Sequence, residues 1–197
     1  MKVLKRIFLI IFFTNFIFNP IFSKEPIDFI TEITSSASSI LKENISVEQK
    51  AEKLVFLAEG TVDIKGIGLY SLGKYRKEID KETLERYNKI FKNYFLKSFS
   101  SRLSQYSDPK IDVLSQNVIN KKYTIVSSIL VATSDRPEVK IDWRVYTKDP
   151  ANPLIRDLII EGLSLARTQK EEFSSVILGA NGNVNALLAN LIEFNSK

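Results

Sequence analysis

The spacing of hydrophobic residues along the chain changes twice. Between Pro26 and Asn44, Ile30, Ile33, Ala37, Ile40 and Leu41 recur at three- and four-residue steps. That spacing predicts an amphipathic helix, with proline well placed in its first turn. The serine-rich run 34–39 falls on the polar side of the same helix. Ser46 followed by Gln49 is a capping-box pattern. A second helix should therefore start near Val47, carry Leu54, Val55 and Ala58, and end near Gly60. The stretch 62–73 contains Gly66, Gly68 and Gly73, but neither GxGxxG spacing nor a following Gly-Lys-Ser/Thr. It reads as a short helix whose glycines allow close packing. Asp80 then caps a long helix in which Leu84, Tyr87, Phe91, Tyr94, Phe95, Phe99, Leu103 and Tyr106 form one stripe. Ser107-Asp108-Pro109 ends it.

From Lys110 the period falls to two. Strands are predicted over 111–119, 123–132, 139–145 and 154–161, with turns at 120–122, 135–137 and 149–153. Such short connections imply an antiparallel meander. Two helices, 168–178 and 184–194, close the chain around the break Gly179-Ala180-Asn181-Gly182. Helices, then strands, then helices define an α+β domain, with a sheet of about four to five strands and helices packed on one face.

The first 23 residues are a separate object. Lys2, Lys5 and Arg6 precede an apolar run from Ile7 to Phe18, broken by Asn19-Pro20 and ending at Ser23. This is the order of a cleavable secretory signal, and the run is short for a membrane span of about 20 residues. An uncleaved anchor is the other reading. Residues 24–197 are expected to form one domain. The segment's three basic residues account for part of the net charge of +5. The remainder has no dense basic block, so nucleic acid is not an expected partner.

The chain has no cysteine and no histidine. This excludes disulfides, a thiol nucleophile, a lipoprotein cysteine, and every catalytic arrangement built on imidazole. What remains is apolar surface and a few charged pairs. Val139, Ile141, Trp143 and Val145 share one strand face, opposite Lys140, Asp142 and Arg144, and Leu158 and Ile160 share another. The aromatic stripe of the long helix is expected to meet that apolar face, either as a filled core or around a cavity. Asp142, Arg144, Asp157 and Glu161 can form either a carboxylate site for acid–base chemistry or ordinary cross-strand ion pairs.

Three blocks together resemble the MlaC family of periplasmic phospholipid-binding proteins. They are Gly68-Leu69-Tyr70-Ser71-Leu72-Gly73-Lys74-Tyr75, Val139–Val145, and Asp157–Gln169 followed by Glu172–Ile177. Arg76 stands where family members often carry tryptophan, and Asn152-Pro153 where many have a Gly-x-Trp turn. The resemblance implies a periplasmic carrier, not an enzyme, with no cofactor and a glycerophospholipid as cargo. It also implies partners: an inner-membrane ABC transporter with an MlaD-like lipid-binding ring, and an MlaA-like outer-membrane lipoprotein–porin complex. A monomer is expected. Residues expected to line the tail cavity are Tyr70, Leu72, Phe91, Phe95, Phe99, Ile129, Trp143, Val145, Leu158, Ile160 and Leu163, with Gly162 ending a strand where bulk would fill the space. Lys74, Arg76 and Lys77 are candidates to meet anionic headgroups or partners. A hopanoid carrier, a secreted enzyme using Asp142 and Glu161, and a structural protein with a filled core are the alternatives.

Overall fold

A computed structural model describes residues 24–197, so the expected signal segment lies outside the described residues. Helix α1 (Pro26–Lys42) begins with proline at its first turn, and α2 (Val47–Thr61) begins with the complete Ser46/Gln49 capping box. Asp63 caps α3 (Ile64–Ser71), its carboxylate accepting the Gly66 N–H at 2.8 Å. A 3-10 turn (Gly73–Lys77) leads to α4 (Lys81–Leu103), capped by Asp80.

Strands β1 (Ile111–Asn120), β2 (Tyr123–Leu130), β3 (Val139–Tyr146), β4 (Leu154–Ile160) and the two-residue β5 (Leu163–Ser164) pair in sequence order. The result is an open five-stranded antiparallel meander. Helices α5 (Leu165–Gly179) and α6 (Val184–Ser196) close the chain, completing the expected α+β arrangement.

Two cores form. In the first, Phe29, Ile30 and Ile33 of α1 pack on Val126, Val145 and Ile155 of the sheet. Helix α1 is pinned along β1 at both ends. The Ile27 N–H donates to Gln116 Oε1 at 2.9 Å, and Ser38 Oγ donates to the Pro109 carbonyl at 2.6 Å. The second core lies among the helices, where Leu72, Tyr75, Tyr87, Phe91, Phe173, Ile177 and Leu188 are buried together. Val62 packs against both.

This corrects one expectation. The aromatic stripe of α4 does not meet the sheet but packs among helices. Phe91 and Tyr94 meet Phe173 of α5, and Tyr94 meets Phe194 of α6. A stripe declares that a helix is buried on one side without naming its partner. Gly68 shows why α3 can come so close: a Cβ there would lie 2.7 Å from the Phe91 ring.

A second correction concerns α5, which begins at Leu165 rather than Thr168. Ser164 is its cap, accepting the Arg167 N–H at 3.1 Å. A run of Leu163, Ser164 and Leu165 reads as strand continuation until the cap is seen.

Candidate functional site

Register sorts the sheet into two faces. Trp143 stands opposite Val126 on β2 and Leu158 on β4, while Ile141 stands opposite Ser128 and Ile160. Ile160 in turn faces Leu163. Val139, Ile141, Trp143, Val145, Ile155, Leu158 and Ile160 therefore share one apolar face.

Burial along that face is graded. Val145 and Ile155, beneath α1, are buried. Trp143, Ile141 and Val139, further along β3, are only half-buried, as are Leu158 and Ile160 on β4. Leu163 is 59% exposed. The helix that closes one end of the apolar face thus leaves the other end incompletely covered. The Trp143 indole is fixed by its N–H, which donates to Ser128 Oγ at 2.9 Å.

The candidate lining residues divide accordingly. Trp143, Leu158, Ile160 and Leu163 lie together on this strip. Val145 shares the face but is sealed into the core. Leu72 and Phe91 are buried in the separate helical core, with Phe95 and Phe99 half-buried against it and stacked on each other at 6.0 Å. Tyr70 is 41% exposed, with the Lys170 ammonium over its ring. Ile129 does not join the strip, because it pairs with Lys140 and Asp112 on the opposite face. Both faces of β2 carry aliphatic residues, so alternation alone could not say which one the strip would use.

Gly162 does not make room for anything: a Cβ there would meet no atom within 4 Å. Its role is conformational. Glu161 and Gly162 form the two-residue β4–β5 turn with φ of 49° and 82°. Positive φ at both central residues is the geometry that matches the twist of a hairpin, and glycine adopts it without steric cost.

The charged residues are held by structural bonds. Ser127 Oγ donates to Asp142 at 2.6 Å. The Glu161 carboxylate accepts the Lys140 backbone N–H across the turn. Buried Asp157 accepts Ser164 Oγ–H at 2.6 Å and the Ala166 N–H at 3.0 Å, beside Arg144 at 3.7 Å. It places negative charge at the N-terminus of α5, where the exposed N–H groups favour it. Asp142, Asp157 and Glu161 therefore serve the sheet and the helix start. Among the described residues no group of three or more His, Cys, Asp or Glu is placed to hold a metal ion. In the helical core, burial pushes the Tyr87 hydroxyl far above the usual phenol range, and it donates to the Gly68 carbonyl at 2.8 Å.

A feature not anticipated from the sequence lies between α1 and α2. A groove of about 640 Å³ is bounded by Ile40, Glu43, Glu52, Lys53, Phe56, Leu57, Gly60 and Thr61. The exposed Phe56 was its only sequence signal, and a lone apolar residue on a helix's polar side carries little weight.

An open meander with a half-covered apolar strip, beside an aromatic helical core, defines an α+β protein whose distinctive surface is apolar rather than catalytic. The chain belongs to the MlaC family, whose model, described as MlaC protein, matches residues 31–193. Its fold is similar to that of a phospholipid-binding protein from Ralstonia solanacearum solved in complex with a phospholipid. The TM-score is 0.75 at 20% identity, over 88% of this chain and 98% of that one.

Proposed function

We propose that this protein is a carrier that holds a glycerophospholipid by its acyl chains and moves it through an aqueous compartment. The observation that carries the reading is the apolar strip of Trp143, Ile141, Leu158, Ile160 and Leu163, left half-covered on an otherwise closed fold. Membership of the MlaC family and likeness to a phospholipid-bound structure support it.

The energetics demand such a device. Two acyl chains of about 15 carbons, at about 0.8 kcal/mol per CH₂, carry roughly 24 kcal/mol of hydrophobic free energy, so a bare lipid leaves a bilayer very slowly. A carrier must offset most of that cost without exceeding it, or it could not unload. Apolar side chains with few fixed polar groups meet this need, because they bind by area and ask little of the headgroup.

In this reading residues 1–23 direct export and are removed, and the carrier works in the periplasm. It exchanges lipid with an MlaD-like ring of an inner-membrane ABC transporter and with an MlaA-like outer-membrane complex, sustaining outer-membrane lipid asymmetry. Among the described residues no helix is long and apolar enough to cross a membrane. The structural bonds of Asp142 and Glu161 favour a carrier over a carboxylate enzyme.

The test is mass spectrometry of protein purified from the cell envelope, under native and then denaturing conditions. A mass excess that disappears on denaturation and extracts as phospholipid supports the carrier. A hopanoid in the extract changes the cargo class. An unloaded mass, with no uptake from phospholipid vesicles, overturns the reading.

A further inference from the structure

The groove between α1 and α2 has the makings of a ligand seat. Ile40 supplies one wall, and Phe56, Leu57, Gly60 and Thr61 supply the other. Charged groups stand at the rim, where Lys53 is ion-paired to Glu43 across the two helices and Glu52 lies nearby. The Phe56 ring is 81% exposed, the most exposed large hydrophobic side chain among the described residues. Gly60 leaves the groove open, since a Cβ there would touch nothing within 4 Å. Leu57 lines the groove and also packs against the core that contains Val126, Val145 and Trp143. The groove is therefore separated from the apolar sheet face by a single side chain.

We propose that this groove seats an acyl chain of the phospholipid cargo. The inference rests on the carrier reading and adds a second apolar surface to the sheet strip. The volume lies within the range of about 300–1,000 Å³ usual for small-molecule pockets. Carbon walls hold a flexible chain by contact area, and a charged rim leaves its polar end in water. Continuity through Leu57 lets a chain in the groove lie close to the strip around Trp143, so one lipid can use both surfaces.

Because the chain has no cysteine, a single introduced thiol can be labelled uniquely. The full chain carrying Phe56→Cys, with a ring-sized bimane on the new thiol, would be loaded with phosphatidylethanolamine brominated along its acyl chains. Leu178→Cys, at a position 63% exposed on α5, serves as the comparison. The bimane at position 56 should be quenched and that at 178 should not. In an independent arm, Gly60→Leu places a side chain in the groove at a helical position that tolerates it. Displacing about two methylenes of the bound chain should lower lipid affinity about tenfold. Normal loading by mass, with unquenched fluorescence at 56 and full affinity in Gly60→Leu, overturns the groove assignment and leaves the carrier reading standing. Absence of loading in the unsubstituted protein overturns both. A lipid-free dimer that depends on Phe56 assigns the groove to a second copy and overturns the proposal.

Discussion

Arg156 grips Asp63 through two nitrogens, with Nε and Nη2 each 2.6 Å from the same carboxylate oxygen. The guanidinium also donates to Tyr123 Oη at 2.7 Å and lies over the Tyr146 ring at 3.7 Å. Asp63 caps α3, and Arg156 sits at the β4 irregularity opposite Arg144 and Val145. The pair therefore ties the helical core to the sheet, next to the isolated pairing of Val62 with Ile155. Asp63→Ala would remove a helix cap and leave a part-buried guanidinium without its partner. The expected loss is about 2–3 kcal/mol, read as a lower urea midpoint. Asp63→Asn, which keeps the cap, should lose less.

The half-covered strip predicts a separation of stability from binding. Ile160→Glu puts a carboxylate at a half-buried position near the strand end. The charge can reach water there, so the thermal midpoint should fall by only a few degrees, while copurifying lipid should be lost. If the folded variant carries lipid as before, the strip around Ile160 does not contact the tails.

Gly162 supplies the opposite case. Gly162→Val should cost about 1–2 kcal/mol, because a β-branched residue is forced to positive φ. Its side chain would enter open space, so lipid loading of the folded protein should not change. A drop in loading without a drop in stability would restore a cavity role for this position.

Acid should weaken the start of α4. Asp80 lies below its ordinary carboxylate value, first because its carboxylate accepts the Thr83 N–H at 2.7 Å and then because it accepts the Thr83 hydroxyl. A group with a depressed folded pKa contributes stability above its unfolded value and loses it as pH falls through the folded one. Asp80→Asn keeps a capping side chain without a titrating charge. The variant should therefore show a shallower loss of urea stability than the parent as pH is lowered through and below the usual carboxylate range. Parallel acid limbs would mean that the cap carries none of the pH dependence.

Much of the architecture was legible because local chemistry wrote it. The Ser46/Gln49 box, the Asp80 cap and the Pro26 start fix three helix beginnings through the four N–H groups that each helix must satisfy. The strand alternation and short turns fix an antiparallel meander. The site was less legible. Trp143, Leu158 and Ile160 were found together because period two places them on one face and their strands are neighbours. Ile129 was misplaced because β2 is apolar on both sides, and only its pairing with Lys140 shows which face it takes. Leu72, Phe91, Phe95 and Phe99 carry the same chemistry as a lipid pocket but belong to the helical core.

The sequence by itself determined the elements, their order, the absence of thiol and imidazole chemistry, and the presence of more apolar surface than one sheet face needs. The tertiary structure decided which apolar surfaces meet. It laid α1 rather than α4 on the sheet, turned the α4 rings towards α5 and α6, left the Trp143–Ile160 strip half-covered, and opened the groove beside Phe56. The physical reason is that burial of carbon is non-directional. Periodicity tells each element which side to hide, while the choice of partner emerges only when all the elements compete for the same neighbours.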